Sequence, residues 1–211
     1  MEKTMTIHAA LSYLKTAQKR IEKALSTDTF VTYAKVNADK INGESAPTAK
    51  DNMKSSYQSV CDIIAMVEAI KKSISKANAE NMITVCGQPM YVAEAIYMMN
   101  YGIDTKKMLL ETMRRQYADA ARSVNRFNGD ELEKRADQFI ASIYGNKEKA
   151  TGNDALIARE DFKKKNSYEL VDPIGILKEI NTLEKWIADF EAEVDGAIQV
   201  SNATHTITID V

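Results

Sequence analysis

The sequence is poor in glycine and proline, the residues that end helices and build turns. Its 211 residues include eight glycines and three prolines, too few for a loop-rich or all-β fold. Alanine, lysine, glutamate, isoleucine and methionine are plentiful, and this composition favours helices. We therefore predict a mainly α protein, a long-helix bundle with a small β-sheet at one end, that forms a single domain over residues 1–211.

Long apolar runs and a strong charge of one sign are also missing. No apolar run approaches the roughly 20 residues of a membrane-spanning helix, and residues 1–7 lack the apolar core of a signal peptide. The net charge of −2 argues against a general nucleic-acid binder, which needs a basic excess. Cys61 and Cys86 stand outside any paired motif, which fits a reducing compartment. We expect a cytoplasmic protein without a membrane or general nucleic-acid partner.

Motifs for catalysis and metal binding are absent from the sequence. His8 and His205 are the only histidines, and neither has a second ligand at metal-binding spacing. There is no glycine-rich phosphate loop and no serine in a nucleophile-elbow setting. The carboxylates are scattered over solvent-facing positions. We predict a non-enzymatic protein with no catalytic residue, metal or cofactor.

Apolar residues at helical spacing are the strongest positive signal. The pattern predicts a first helix over about 7–25 and a second of about 30 residues from Thr48. The first stripe is Ile7, Leu11, Leu14, Ile21 and Leu25. The second is Met53, Tyr57, Val60, Ile64, Val67 and Ile74, with a further edge of Ile63, Met66 and Ile70. Because a helix with two apolar edges contacts more than one neighbour, we expect either bundle packing or oligomerisation. Together with Trp186, which lies off the heptad register of the last helix, these edges favour a homo-oligomer.

The last forty residues predict a helix and a strand, preceded by an irregular loop at about 146–171. Asp172 and Pro173 suit the N-cap and first turn of a helix, which a short strand follows within the segment 172–211. Trp186 lies outside the heptad register of this helix and marks a second contact surface. Residues 78–85 match residues 202–209 in spacing, either by chance or because two helix–strand units place their strands in one sheet.

Basic residues form the candidate binding site. On a helix predicted over 105–128, several arginines fall on one side, and a basic pair in the loop could close a pocket with them. The candidate ligand-binding residues are Arg114, Arg115, Tyr117, Arg122, Arg126, Arg159 and Lys163. One interpretation is a solvated face with intrahelical ion pairs. The other is an anion pocket in which arginine grips phosphate and Tyr117 or Tyr97 stacks on a base.

A family resemblance is carried by four parts of the chain: residues 75–96, the segment 159–163, Val171-Asp172, and Asn202 before the closing strand. In these residues the chain resembles the septicolysin-like family, small helical proteins of bacteria, phages and mobile elements. The resemblance covers most of the chain and implies a helical fold. The family name implies a haemolysin, but the sequence has neither a membrane span nor an apolar amphipathic hairpin.

Three functional hypotheses follow from the sequence. The first is a non-enzymatic homo-oligomer that holds a small anionic, nucleotide-like ligand. In a phage or mobile element it would sequester a host nucleotide signal, in the host cytoplasm. The second is a structural or protein-interaction module without a small ligand. The third is a nucleotide-processing enzyme.

Overall fold

The computed structural model describes residues 2–36, 38–145 and 152–210. It confirms a mainly α fold with minor antiparallel β-structure, although the strands form three separate two-stranded sheets. The elements are β1 (Glu2–Thr6), α1 (Ile7–Thr27), β2 (Lys40–Ile41), β3 (Glu44–Ser45), α2 (Ala46–Glu80), β4 (Met82–Val85), β5 (Gln88–Tyr91), α3 (Val92–Tyr97), α4 (Ile103–Arg126), α5 (Leu132–Tyr144), α6 (Asn153–Asn166), α7 (Ile176–Thr204) and β6 (Thr206–Asp210). Short π-helical segments, Met98–Gly102 and Phe127–Glu131, precede α4 and α5.

The described residues group into two compact units. Unit 1 contains those up to Tyr101 together with those from Asp189 onward, and unit 2 is Gly102–Ala188. Helix α7 contributes its first half to unit 2 and its second half to unit 1. The single domain over residues 1–211 stays a prediction.

Helices α1 and α2 form an antiparallel pair in unit 1. The start of α1, Ile7 and Ala10, packs with Ile70 and Ile74 near the end of α2. Two to three turns further along α1, another cluster joins Ala17 and Ile21 to Val67. Contacts at alternating three- and four-residue steps are those of helices that cross at a shallow angle.

The predicted stripes were wrong in part about which side chains are buried. Leu25 of α1 is 60% exposed, whereas Ala17 is buried at 1%. In α2, Tyr57 is 60% exposed, whereas Ile70 from the second edge is fully buried. The facing helix decides the buried line, and small alanines on that line allow the two backbones to approach closely.

The two matching segments end their helices in the same way. The backbone N–H of Asn81 donates to Ala77 O at 2.8 Å after α2, and that of His205 donates to Ser201 O at 2.9 Å after α7. In both, the next residue begins a strand. Because each N–H bonds four residues back, the helical ladder is completed before the chain becomes extended.

The equivalence continues into the strands that pair with β4 and β6. The N–H of Val92 donates to Asn81 O at 2.9 Å, and that of Ile7 donates to His205 O at 3.0 Å. Each donor is the first residue of a helix, and the strand before it pairs antiparallel with the strand that follows α2 or α7. These pairs are β5 with β4 and β1 with β6. The chain thus contains two helix–strand–strand–helix arrangements. The prediction of one shared sheet is wrong, because each exit strand pairs with the strand that enters a new helix.

Two further predictions about the C-terminal half need correction. The segment predicted as an irregular loop is helical over Asn153–Asn166, and residues 146–151 lie outside the described residues. Helix α7 begins at Ile176, whose N–H donates to both carboxylate oxygens of Asp172 at 2.9 Å. Gly175 has a φ of +67°, so the chain turns between Asp172 and the helix. In the described ranges, no helix is long and apolar enough to cross a membrane.

Candidate functional site

Arg122 and Arg126 lie together on the last two turns of α4. They line a surface depression of about 410 Å³ with Asp119 and Ser123. The guanidinium of Arg122 bonds to the Asp119 carboxylate, and its Nε donates to Ala118 O at 3.3 Å. Arg126 Nε lies 3.8 Å from a carboxylate oxygen of Glu131. Both predicted residues are therefore present in one depression, and each has a carboxylate partner.

Arg114 lies elsewhere on α4 and pairs with α7. Its Nη2 is 2.5 Å from Glu184 Oε2. The hydrogen bond from Arg114 lowers the pKa of Glu184. Arg115 is exposed and Tyr117 is half-buried, and neither lines the depression with Arg122.

Arg159 and Lys163 meet on α6, where both face the acidic side chains of α5. Arg159 Nη2 lies 2.7 Å from Glu133 and 2.8 Å from Asp137. Lys163 Nζ lies 2.7 Å from Glu133 and 3.3 Å from Glu160. The hydrogen bond from Lys163 lowers the pKa of Glu133, and the nearby Arg159 lowers it further. These cations fasten α6 to α5.

Of the seven candidate residues, only Arg122 and Arg126 line the depression at the end of α4. Arg122 and Arg126 share one depression, while Arg159 and Lys163 are bound to α5 beside the stacked rings of Phe139 and Phe162. The carboxylates responsible include Glu133 on a facing helix. Spacing along one helix does not reveal partners on another, so the sequence did not predict the ion pairs of Arg159 and Lys163 with Glu133.

An apolar groove in unit 2 was not predicted. It has a volume of about 720 Å³ and is lined by Lys106, Leu109, Met113, Ile174, Glu179, Thr182, Leu183 and Trp186. Lys106 Nζ lies 4.5 Å from the Trp186 ring centroid, a cation–π distance. The off-register Trp186 was the sequence signal for this surface. The sequence did not indicate which residues of α4 lie opposite Trp186.

The groove combines an apolar floor with a rim of both charges. Leu109 is 53% exposed although four of its neighbours in the groove are also apolar. Lys106 of α4 and Glu179 of α7 contribute opposite charges. A mixed rim of this kind is able to meet a second copy of itself with each charge facing its opposite.

Cys86 lies in a tight turn of unit 1 beside acidic side chains. Cys86 has a φ of +51° in the turn between β4 and β5, and its N–H donates to Glu193 Oε2 at 2.7 Å. Burial raises the pKa of the Cys86 thiol, and the charges of Glu193 and Asp189 raise it further. Within residues 2–36, 38–145 and 152–210, no three histidine, cysteine or carboxylate side chains are grouped to hold a metal ion.

No protein-family model, curated protein or solved structure matches the chain. The septicolysin-like resemblance therefore stays a prediction.

Proposed function

We propose that this chain is a non-enzymatic, self-associating interaction protein in which a second copy covers the apolar groove of unit 2. The observation that carries the proposal is the groove itself, about 720 Å³ with an exposed Leu109. Exposed apolar surface costs free energy in water, and contiguous patches of it mark contact sites. The proposed place of action is the cytoplasm.

A second copy fits the groove because of the distribution of charge around it. In a two-fold contact the same patch meets itself, so a self-compatible patch carries both signs. Lys106 and Glu179 supply them at the groove, and the Arg114–Glu184 pair joins the same two helices nearby. A partner with a strongly acidic or strongly basic surface would leave one of these charges against a like charge.

The single tryptophan of the chain gives a direct test, because Trp186 lies in the groove. We expect its emission to shift to shorter wavelength as protein concentration rises, in step with a larger sedimentation coefficient. Leu109→Lys, which puts a charge onto the groove floor, should abolish both changes. The matched control is Leu25→Lys in unit 1, since Leu25 has a similar exposure of 60%.

The proposal of self-association through the groove fails if the protein sediments as a monomer at all concentrations. It also fails if Leu109→Lys associates like the wild type. Circular dichroism of both variants confirms that the helices remain folded.

Binding of a small anionic, nucleotide-like ligand is a second candidate, carried by the depression at Arg122 and Arg126. Two guanidinium groups and the Ser123 hydroxyl line one volume of about 410 Å³, and arginine binds phosphate bidentately. A ligand must displace Asp119 and Glu131 from these arginines, which lowers the net gain. Sequestration of a nucleotide signal by a phage or mobile-element protein is the biological form of this candidate.

The test is a nucleotide panel that includes cyclic dinucleotides, with thermal unfolding and chromatography of the recovered ligand. A raised Tm with intact ligand supports sequestration, and an altered ligand supports a nucleotide-processing enzyme. Arg122→Ala should remove the shift, whereas Arg20→Ala on exposed α1 should not. The absence of any shift across the panel rejects both forms of this candidate.

A further inference from the structure

A groove between α1 and α2 in unit 1 concentrates positive charge. It has a volume of about 510 Å³ and is lined by Leu14, Lys15, Gln18, Lys19, Glu22 and Lys71. Lys15 and Lys19 lie one turn apart on α1, and Lys71 faces the groove from α2. Three lysines from two helices thus line one groove together with a half-buried Leu14.

These lysines differ from paired cations such as Arg122 and Arg159, because they have no carboxylate partner among the described residues. In the part of the chain that the structure describes, none of the three forms a salt bridge. Glu22 is the one acid in the lining, and its Oε1 accepts from Gln18 Nε2 at 3.0 Å. The lining therefore has a formal charge of +2 in a chain whose net charge is −2.

The like charges in this groove repel one another. Like charges four residues apart on a helix destabilise it, and Lys15 and Lys19 have this spacing. Lys71 adds a third positive charge from the facing helix. An anion placed among the ammonium groups replaces this repulsion with attraction to all three, so ligand binding and helix pairing reinforce each other.

We propose that this lysine groove binds a small molecule that carries adjacent phosphate groups. Lysine is a common phosphate ligand that acts as a point charge, and Gln18 adds an amide donor at the same place. A pyrophosphate group offers several charged oxygens to three ammonium groups at once, whereas a carboxylate offers two. The groove volume is in the range of small-molecule sites, which favours a compact ligand over a polymer.

The test is calorimetric titration of the full chain with sodium pyrophosphate, and with sodium sulfate at matched ionic strength. We expect saturable binding of pyrophosphate that weakens as sodium chloride is added, and weaker binding of sulfate. The double variant Lys19→Gln/Lys71→Gln should weaken pyrophosphate binding about tenfold or more. Lys50→Gln, an exposed lysine of α2 outside the groove, should leave it unchanged.

One further variant distinguishes binding in the lysine groove from binding in the depression lined by Arg122 and Arg126. Arg122→Gln/Arg126→Gln should retain pyrophosphate binding, because these residues belong to unit 2. The proposal is overturned if pyrophosphate gives no binding heat, if sulfate binds as tightly, or if the lysine double variant binds as well as Lys50→Gln. Loss of pyrophosphate binding only in Arg122→Gln/Arg126→Gln also overturns the proposal, because it places the binding site at those arginines.

Discussion

Glu133 receives both cations that fasten α6 to α5. Its two carboxylate oxygens lie 2.7 Å from Arg159 Nη2 and 2.7 Å from Lys163 Nζ. The hydrogen bond from Lys163 holds the pKa of Glu133 below its ordinary value of 4.5. A carboxyl whose folded pKa is lowered contributes stability at pH values above its unfolded pKa, and this contribution disappears as pH falls through the folded pKa.

We therefore predict that Glu133→Gln reduces the acid sensitivity of the protein. As pH falls from about 5 toward 3, the Tm of the wild type should decrease more steeply than that of the variant. The Tm difference at neutral pH should shrink in high salt, because the pair is partly exposed. The control is Glu169→Gln, which removes an exposed carboxyl that forms no ion pair in the described ranges. Identical pH profiles for wild type and Glu133→Gln would refute this role.

Cys86 occupies a backbone conformation that cysteine disfavours. Its φ is +51° and that of Gly87 is +71°, the same pair of signs found at Asn42 and Gly43 in the β2–β3 hairpin. Two-residue hairpin turns with both φ values positive favour asparagine followed by glycine. Cys86→Asn should therefore raise stability by about 1 kcal/mol, or about 2–4 °C in Tm.

Urea unfolding of Cys86→Asn measures this effect. Cys61→Asn is the control, because Cys61 lies within α2. Asparagine is a weaker helix former than many residues, so this variant should not gain stability. A loss of stability in Cys86→Asn would mean that the thiol packing outweighs the turn geometry.

At the scale of elements, the contact of α1 with α2 depends on small residues. Ala10 and Ala17 are buried on the α1 side of the two clusters that join these helices. A larger side chain at these positions must push the helices apart or adopt a strained rotamer. The conformation of this pair also sets the lysine groove, since Leu14, Lys15 and Lys71 come from the same two helices.

Ala17→Leu is predicted to destabilise the protein by about 1–3 kcal/mol through overpacking. Leu25→Ala, on the same helix but 60% exposed, should change stability by no more than about 0.5 kcal/mol. Chemical unfolding of both variants decides between the buried line of the structure and the stripe predicted from hydrophobicity. A larger loss of stability in Leu25→Ala than in Ala17→Leu would mean that Leu25 lies on the buried side of α1, as the hydrophobic stripe predicted.

At the scale of the whole molecule, the two ends of the described chain meet in one sheet. Strand β1 pairs antiparallel with β6, with Lys3 opposite Ile209 and Thr6 opposite Thr206. Ile207 and Ile209 extend from this sheet into the core cluster of α1 and α2. The last strand therefore completes a core whose other members lie in the first 80 residues.

We predict that Ile209→Ala costs about 2–5 kcal/mol of stability, because it opens a cavity at a side chain that is 3% exposed. Thr208→Ala, one residue away on the exposed face, loses the 3.0 Å contact of its Oγ1 with Thr4 Oγ1. That change should cost about 1 kcal/mol or less. Thermal unfolding of the two variants gives the comparison. Equal costs would mean that β6 contributes through its backbone pairing and not through its buried face.

The sequence by itself determined the elements whose causes are local. Low glycine and proline content and apolar periodicity predicted the mainly α fold, including a first helix that begins at Ile7. Two equivalent helix exits were one of the two interpretations of the matching segments 78–85 and 202–209, and the structure contains them. Each of these signals depends on residues within a few positions of one another, so the sequence of the segment is enough to predict its local structure.

Only the tertiary structure decided which faces are buried and which charges are free. Ala17 replaced Leu25 in the core because α2 lies against it, and Arg159 was neutralised because α5 presents Glu133. The same reasoning explains why the free lysines between α1 and α2 and the apolar groove beside Trp186 were not foreseen. Burial and Coulomb energy depend on distances between segments far apart in the chain, and periodicity within one segment does not contain those distances.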